Sequence, residues 1–216
     1  MRSLTIGTKN TWTDFGLAIQ SINIGVPEVK QYRVELPGGD GELDFTEFFG
    51  GAKLNDRTIE VELVYTKYPS DIPQELLYDV VNEWHGRKLT IIDSLDPDYE
   101  FTGRVMLADL NGQPSFGTIR LTAVCSPYRL ETSPTVVDGT VPADGSISMT
   151  LSNLRMPVKP MITVSAETTV TYNTVINVVS AGTFQLWSPL DEGENVISFS
   201  ADEGTTINIT YTRGLI

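Results

Sequence analysis

Trp84-His85-Gly86-Arg87-Lys88-Leu89-Thr90-Ile91-Ile92-Asp93, running on through Asp96-Pro97-Asp98-Tyr99 to Gly103-Arg104-Val105, is the stretch that decides how this chain folds. Trp84 closes a run in which Leu76, Leu77, Val80 and Val81 recur at helical spacing, with Glu75, Asp79, Asn82 and Glu83 largely on the other side. Ser70 is a candidate N-cap, Pro73 is tolerable in a first turn, and Gly86 supplies a stop. Beyond the glycine, residues 88–92 are β-prone. The acidic segment at 93–98, stiffened by Pro97, reads as the turn of a hairpin whose second strand is 99–106. The stretch therefore predicts a helix whose Leu/Val/Trp stripe packs on an antiparallel sheet.

Strand signals flank it on both sides. Residues 57–65 alternate best, with Ile59, Val61, Leu63 and Tyr65 facing one way and Thr58, Glu60, Glu62 and Val64 the other. Residues 17–24 are β-rich, and residues 30–36 set Tyr32, Val34 and Leu36 opposite Arg33 and Glu35. Pro37-Gly38-Gly39-Asp40-Gly41 is a loop, and residues 116–125 are a further strand. Near residue 130 the composition changes. Glu131-Thr132-Ser133-Pro134-Thr135 reads as a linker. Short β-prone runs follow at 146–151, 160–166, 168–172, 174–179, 183–187, 195–201 and 205–212, with turn signals at Asp144-Gly145, Ala181-Gly182, Glu192-Gly193 and Glu203-Gly204. The expectation is a mainly β protein: an α+β domain over 1–130 with an antiparallel sheet and one helix, then a β-sandwich or barrel over 131–216.

The 216 residues are 40 % hydrophobic and 20 % charged, the proportions of a globular protein with a core. No apolar run approaches the roughly 18 residues of a membrane span. Met1-Arg2-Ser3-Leu4-Thr5-Ile6-Gly7 lacks the apolar stretch of a secretory leader. These readings predict no membrane insertion and assembly in a cytoplasm. One cysteine forbids an intrachain disulfide, and one cysteine with one histidine argues against zinc. The net charge is −13, and acidic residues outnumber basic ones on both sides of residue 130. Specific nucleic-acid binding is therefore not expected. The charge serves solubility; lining a ring, it would also repel DNA phosphates.

Candidates for chemistry are few. His85 could act as a base, but no serine or cysteine motif accompanies it, and at a helix C-terminus it complements the macrodipole. Cys125 falls in the alternating run Ile119, Leu121, Ala123, Cys125, which makes it a core residue. Asp93, Asp96, Asp98 and Glu100 form the densest carboxylate cluster. Their spacing lacks the order of a calcium loop and fits an acidic hairpin turn. The glycines at 38–41 lack the Lys-Ser/Thr of a phosphate loop. Trp187 could stack on a sugar ring, although a core position is the plainer reading. No catalytic residue, cofactor or metal is expected, and the chain reads as a non-enzyme.

Four stretches taken together resemble the siphophage distal tail proteins. They are Phe15-Gly16-Leu17 with Ile22, Arg57-Thr58-Ile59-Glu60-Val61, the hairpin from Gly86-Arg87-Lys88-Leu89 to Gly103-Arg104-Val105, and Ala123-Val124-Cys125-Ser126-Pro127-Tyr128-Arg129. The resemblance implies a structural tail protein of a phage or prophage, located at the tail tip of the virion. Its N-terminal domain would close a hexameric hub ring that lets DNA through, and a galectin-like β-sandwich would project outward. The implied partners are further copies of the chain, the tail-tube protein, the tail-associated lysin or fibre hub, and receptor-binding proteins. Asp93, Asp96, Asp98 and Tyr99 are the candidate interface hairpin, as surface residues, and the loop at 37–41 is a second candidate arm. No histidine follows residue 130, so the His-x-Asn-x-Arg strand of sugar-binding galectins is absent, and host recognition would fall to partners. Two other readings stay open: a carbohydrate-binding adhesin module with Trp187 as its platform, and another β-rich tail component such as a tube protein.

Overall fold

The computed structural model describes residues 1–48, 50–66, 73–108 and 118–216. They form two compact units, Met1–Arg129 and Leu130–Ile216. The protein is mainly β, with a single helix among the described residues.

The first unit contains β1 (Leu4–Ile6), β2 (Lys9–Asn10), β3 (Leu17–Ile24), β4 (Arg33–Glu35), β5 (Glu42–Asp44), β6 (Arg57–Tyr65), α1 (Gln74–Trp84), β7 (Lys88–Asp93), β8 (Asp96–Leu107) and β9 (Thr118–Cys125). Seven of these strands pair antiparallel in the order β2-β1-β7-β8-β9-β6-β3. The alternation of β6 is realised directly: Ile59, Val61 and Leu63 are buried, while Thr58 and Glu60 face out. The strands β1 and β2 are not anticipated by the sequence, because each is too short to show a period.

The helix lies on the core as its stripe demands. Val80 and Trp84 are fully buried, and Leu76, Leu77 and Val81 pack beside them. Trp84 meets Phe15 edge to face, with ring centroids 5.1 Å apart. Pro73 takes the N-cap position in extended backbone and offers no side-chain cap. The candidate cap Ser70 lies outside the described residues, as does the start of the strand expected at 116. His85 is the C-cap, and Gly86 at φ 75° makes the left-handed exit that glycine permits.

Gly103 explains one element of the sequence pattern. It pairs with Cys125 across β8 and β9. A Cβ placed on it would lie 2.4 Å from both the Cys125 Sγ and the Val124 carbonyl oxygen. The two strands can therefore approach this closely only with glycine there.

The second unit contains β10 (Arg129–Glu131), which begins in the first unit, then β11 (Thr135–Thr140), β12 (Ser146–Asn153), β13 (Met161–Val164), β14 (Thr168–Tyr172), β15 (Val175–Val179), β16 (Gly182–Gln185), β17 (Gly193–Ser200), β18 (Thr206–Tyr211) and β19 (Gly214–Leu215). Two four-stranded sheets, β11-β18-β13-β16 and β12-β17-β14-β15, enclose a core that includes Leu151, Ile162, Val170, Ile197, Phe199 and Ile209. This is the sandwich form of the two alternatives left by the strand pattern. The Tyr211 hydroxyl donates to the Ser152 carbonyl at 2.9 Å and so joins β18 of one sheet to β12 of the other. Buried Asn195 is satisfied on all sides, accepting from the Tyr172 hydroxyl at 2.8 Å and from the Asp191 amide at 2.9 Å while donating to the Asp191 and Gly193 carbonyls.

The strand β11 departs from expectation, since the sequence reads the segment around 131–135 as a linker and places no strand before 146. Its Asp138-Gly139 step looks like a turn, yet both residues pair in register with β18. Gly139 is there for packing: an added Cβ would sit 3.0 Å from the Met149 Sδ.

Gly103→Ala should destabilise the first unit by about 1–3 kcal/mol through forced separation of β8 and β9. Urea denaturation followed by circular dichroism would measure it. An unchanged midpoint would show that the sheet absorbs the methyl group.

Candidate assembly interface

The acidic hairpin is not built as the sequence suggests. The turn is the two residues Ser94 and Leu95, and Asp93 pairs directly with Asp96 at the ends of β7 and β8. Asp96, Pro97, Asp98 and Tyr99 belong to the strand β8 rather than to a loop. Asp93 is buried, which corrects its expected place on the surface. Its carboxylate takes two bonds from Arg2 Nε, at 3.2 and 3.0 Å, and a third from Arg2 Nη2. It also accepts the Leu95 amide at 3.0 Å, which tightens the turn. The turn is held to the chain start as well: Ser94 N–H donates to the Ser3 carbonyl at 3.0 Å, and Ser3 N–H donates to the Ser94 hydroxyl at 2.9 Å.

Asp96 has its own arginine. Arg129 Nη1 donates to Asp96 Oδ2 at 2.5 Å, and the guanidinium lies over the Tyr99 ring at 4.7 Å. Asp96 and Tyr99 are thus half-buried parts of an internal clamp, whereas Asp98 is exposed beside the turn and Leu95 is 70 % exposed. Next to this clamp, buried Arg57 stacks on Phe101 at 5.2 Å and donates to the Pro127 carbonyl at 2.5 Å. Burial, and then the charge of Arg129, push the Arg57 pKa below its ordinary value. Arg57, Gly103, Cys125, Pro127 and Arg129 come from three separate stretches of the sequence. In the fold they are neighbours at one end of the sheet, and no local periodicity pointed to their contacts.

The most exposed apolar surface of the unit lies elsewhere. The strands β4 and β5 pair only with each other, in the register Arg33↔Asp44, Val34↔Leu43 and Glu35↔Glu42. Their ribbon continues downward through Phe45 N–H to the Tyr32 carbonyl at 2.7 Å, Lys30 N–H to the Lys53 carbonyl at 2.7 Å, and Asn55 N–H to the Glu28 carbonyl at 2.8 Å. Tyr32, Val34, Leu36, Leu43 and Phe45 are all exposed, and Phe48 is 70 % exposed. The alternation of residues 30–36 is visible in the sequence, but whether its apolar face is covered is a tertiary fact. Residues 37–41, expected as an arm, are the tip of this ribbon, closed by Gly39 N–H to the Leu36 carbonyl at 3.1 Å.

The other singled-out residues have internal places. Trp187 is half-buried, packed against the core of the second unit. His85 Nδ1 accepts the Leu107 amide at 3.1 Å, tying the helix end to β8. Cys125 is fully buried, and burial pushes its thiol up to about 11 against the opposing pull of Arg57. Among the described residues, no three His, Cys, Asp or Glu side chains group to hold a metal ion, and no helix is long and apolar enough to cross a membrane.

The described residues thus form an antiparallel sheet with one helix and an exposed ribbon in the first unit and a β-sandwich in the second. Among solved structures, the chain is similar to SPP1 Dit (gp 19.1), described as a paradigm of the hub adsorption apparatus in phages that infect Gram-positive bacteria. The likeness covers 100 % of both chains at a TM-score of 0.65 and 15 % identity. No protein-family model and no curated protein matches the sequence. The resemblance to distal tail proteins read from the four sequence stretches is therefore matched in fold over the whole chain.

Two predictions follow from the buried groups. Burial raises the Asp93 pKa, but the Arg2 hydrogen bonds, the Leu95 amide and the Arg2 charge outweigh it and hold the carboxyl below its ordinary value. The pair therefore stabilises the fold above the ordinary aspartate pKa of about 4, and that contribution is lost as pH falls through the depressed folded value. Asp93→Asn should lower the thermal midpoint at neutral pH, with the gap to the parent protein closing in acid. A gap of constant size from pH 7 to strong acid would refute the charge argument. Cys125 should resist a thiol reagent at pH 8 while the protein is folded and react fully once denatured, since only the exposed thiolate attacks.

Proposed function

We propose that the chain is a structural, non-catalytic subunit of a phage tail hub. Copies of it, six by the resemblance, would close a ring at the tail tip that joins the tail tube to the tail-associated lysin or fibre hub and lets DNA pass. Receptor-binding proteins would be further partners. The observation that carries this reading is the ribbon built from residues 28–48 and 50–55. A lone two-stranded ribbon is marginally stable in water. One that displays Tyr32, Val34, Leu43 and Phe45 to solvent gains stability when another chain covers it. A ring suits such an element, because each subunit presents two different faces to its neighbours and every arm then meets the same receiving surface. The edge strand β3 of the seven-strand path is a second natural contact, since its outer backbone groups lack a strand partner in that path. The net charge of −13 suits a passage for DNA that must not bind it.

Light scattering with electron microscopy over a range of concentrations tests the reading. Closed six-fold rings of six 23.8 kDa subunits are expected, alone or with the tail-tube protein present. Val34→Asp with Phe45→Asp should leave the circular dichroism spectrum unchanged and the protein monomeric. Monomers under every condition, or rings that persist in the double variant, would overturn the role given to the arm.

A further inference from the structure

The strand β15 stands bare at one edge of the second unit. It pairs only with β14, in the register Thr169↔Val178, Val170↔Asn177 and Thr171↔Ile176, and ends the β12-β17-β14-β15 sheet. Alternate residues of an edge strand turn their N–H and C=O groups outward. Among the described residues, those of β15 have no hydrogen-bond partner on that side. Its side chains are open as well. Ile176 and Val178, on the outer face with Thr169 and Thr171, are each 65 % exposed, and Val175 on the other face is 45 % exposed. The turn before the strand is only Asn173 and Thr174, at φ 48° and 65°. Such a turn matches the twist of a hairpin and leaves no loop to fold over the edge.

Two other edges of the sandwich are protected. The strand β12, at the far side of the same sheet, buries Met149 and Leu151 and shows Ser148 and Thr150. The strand β11 carries Asp138. Charge, proline and bulges are the means by which proteins blunt an edge. The strand β15 uses none of them: it is Val175-Ile176-Asn177-Val178-Val179 in continuous register with β14, and residues 168–190 hold no charged side chain.

We propose that β15 docks on the same strand of a second copy of the chain. The strand is its own complement. An antiparallel pairing about a two-fold axis at Asn177 sets Ile176 opposite Val178 and Val175 opposite Val179, each pair on one face, with the two Asn177 side chains opposed. Carboxamides both donate and accept, so the two amides can bond to each other. Charge points to the same contact. Two chains of net charge −13 repel over most of their surfaces, and least where no charged side chain lies. The contact is isologous, so it closes at two copies: once joined, neither β15 has a free edge left for a third. A five-residue strand buries less than the roughly 1,000 Å² of a stable interface, so the pair is a weak one at the concentrations at which rings are sized. It needs no ring to form.

Disulfide trapping tests this on the full chain, whose own Cys125 is fully buried. Directly opposed residues of an antiparallel pair have Cα atoms about 4.5–5.5 Å apart, within reach of a disulfide. Under mild oxidation, Asn177→Cys should form covalent dimers faster than Val175→Cys or Ser148→Cys by about tenfold or more, since only copies of residue 177 face each other. Val175→Cys mixed with Val179→Cys should cross-link faster than either alone. Ile176→Lys with Val178→Lys, added to Asn177→Cys, opposes like charges across the contact and should abolish the advantage. Both side chains are exposed, so the circular dichroism spectrum should not change. The advantage should persist when Val34→Asp and Phe45→Asp are added, which separates this contact from the ribbon and its fate from that of the ring. Trapping of Asn177→Cys no faster than that of Ser148→Cys overturns the proposal. So does an advantage that survives the two lysine substitutions, or one that Val175→Cys alone shares.

Discussion

Two aspartates face each other across the β7–β8 turn, and the first unit depends on how that repulsion is relieved. Like charges directly opposed on neighbouring strands are destabilising. Asp93 and Asp96 are tolerated because each has an arginine from a distant part of the chain, Arg2 from before β1 and Arg129 from after β9. The clamp therefore closes both ends of the unit onto its hairpin. The most buried carboxylate of the acidic cluster is occupied by a guanidinium and a backbone amide.

The same economy runs through the rest of the molecule. Groups that could have been reactive are used as fasteners: His85 for the Leu107 amide, Cys125 as the small partner that Gly103 requires, and Arg57 for the end of β9. What remains outward is the apolar ribbon of the first unit and the bare edge strand of the second.

Much of this was legible in the sequence, and the exceptions have physical causes. The strand β6, the helix and its exit at Gly86 were readable because their periods run over eight or more residues. The strand β11 was not, since Gly139 is chosen for contact with Met149 and imitates a turn signal. The hairpin turn reads as six residues, 93–98, because Pro97 looks like part of a stiffened turn, whereas it sits near the start of β8. Asp93 was read as a surface residue because its partner lies 91 positions away, beyond the reach of any local pattern. The apolar face of the ribbon was visible as alternation, but nothing in alternation distinguishes a face that meets a core from one left bare.

The order in which the chain leaves the ribosome gives the ribbon a particular history. Its two strands are close in sequence, so they can pair as soon as residue 55 or so has emerged. The strand β6 can pair with β3 early, but its other edge must wait for β9, and the clamp is complete only when Arg129 is free to reach Asp96. Local pairings form in microseconds, whereas synthesis proceeds at about 5–20 residues per second. Seconds therefore pass in which a sticky ribbon precedes the body that carries it. If copies of the chain do assemble through their ribbons, the nascent chains of one polysome would hold those ribbons near one another. The strong negative charge of the chain would oppose such an encounter.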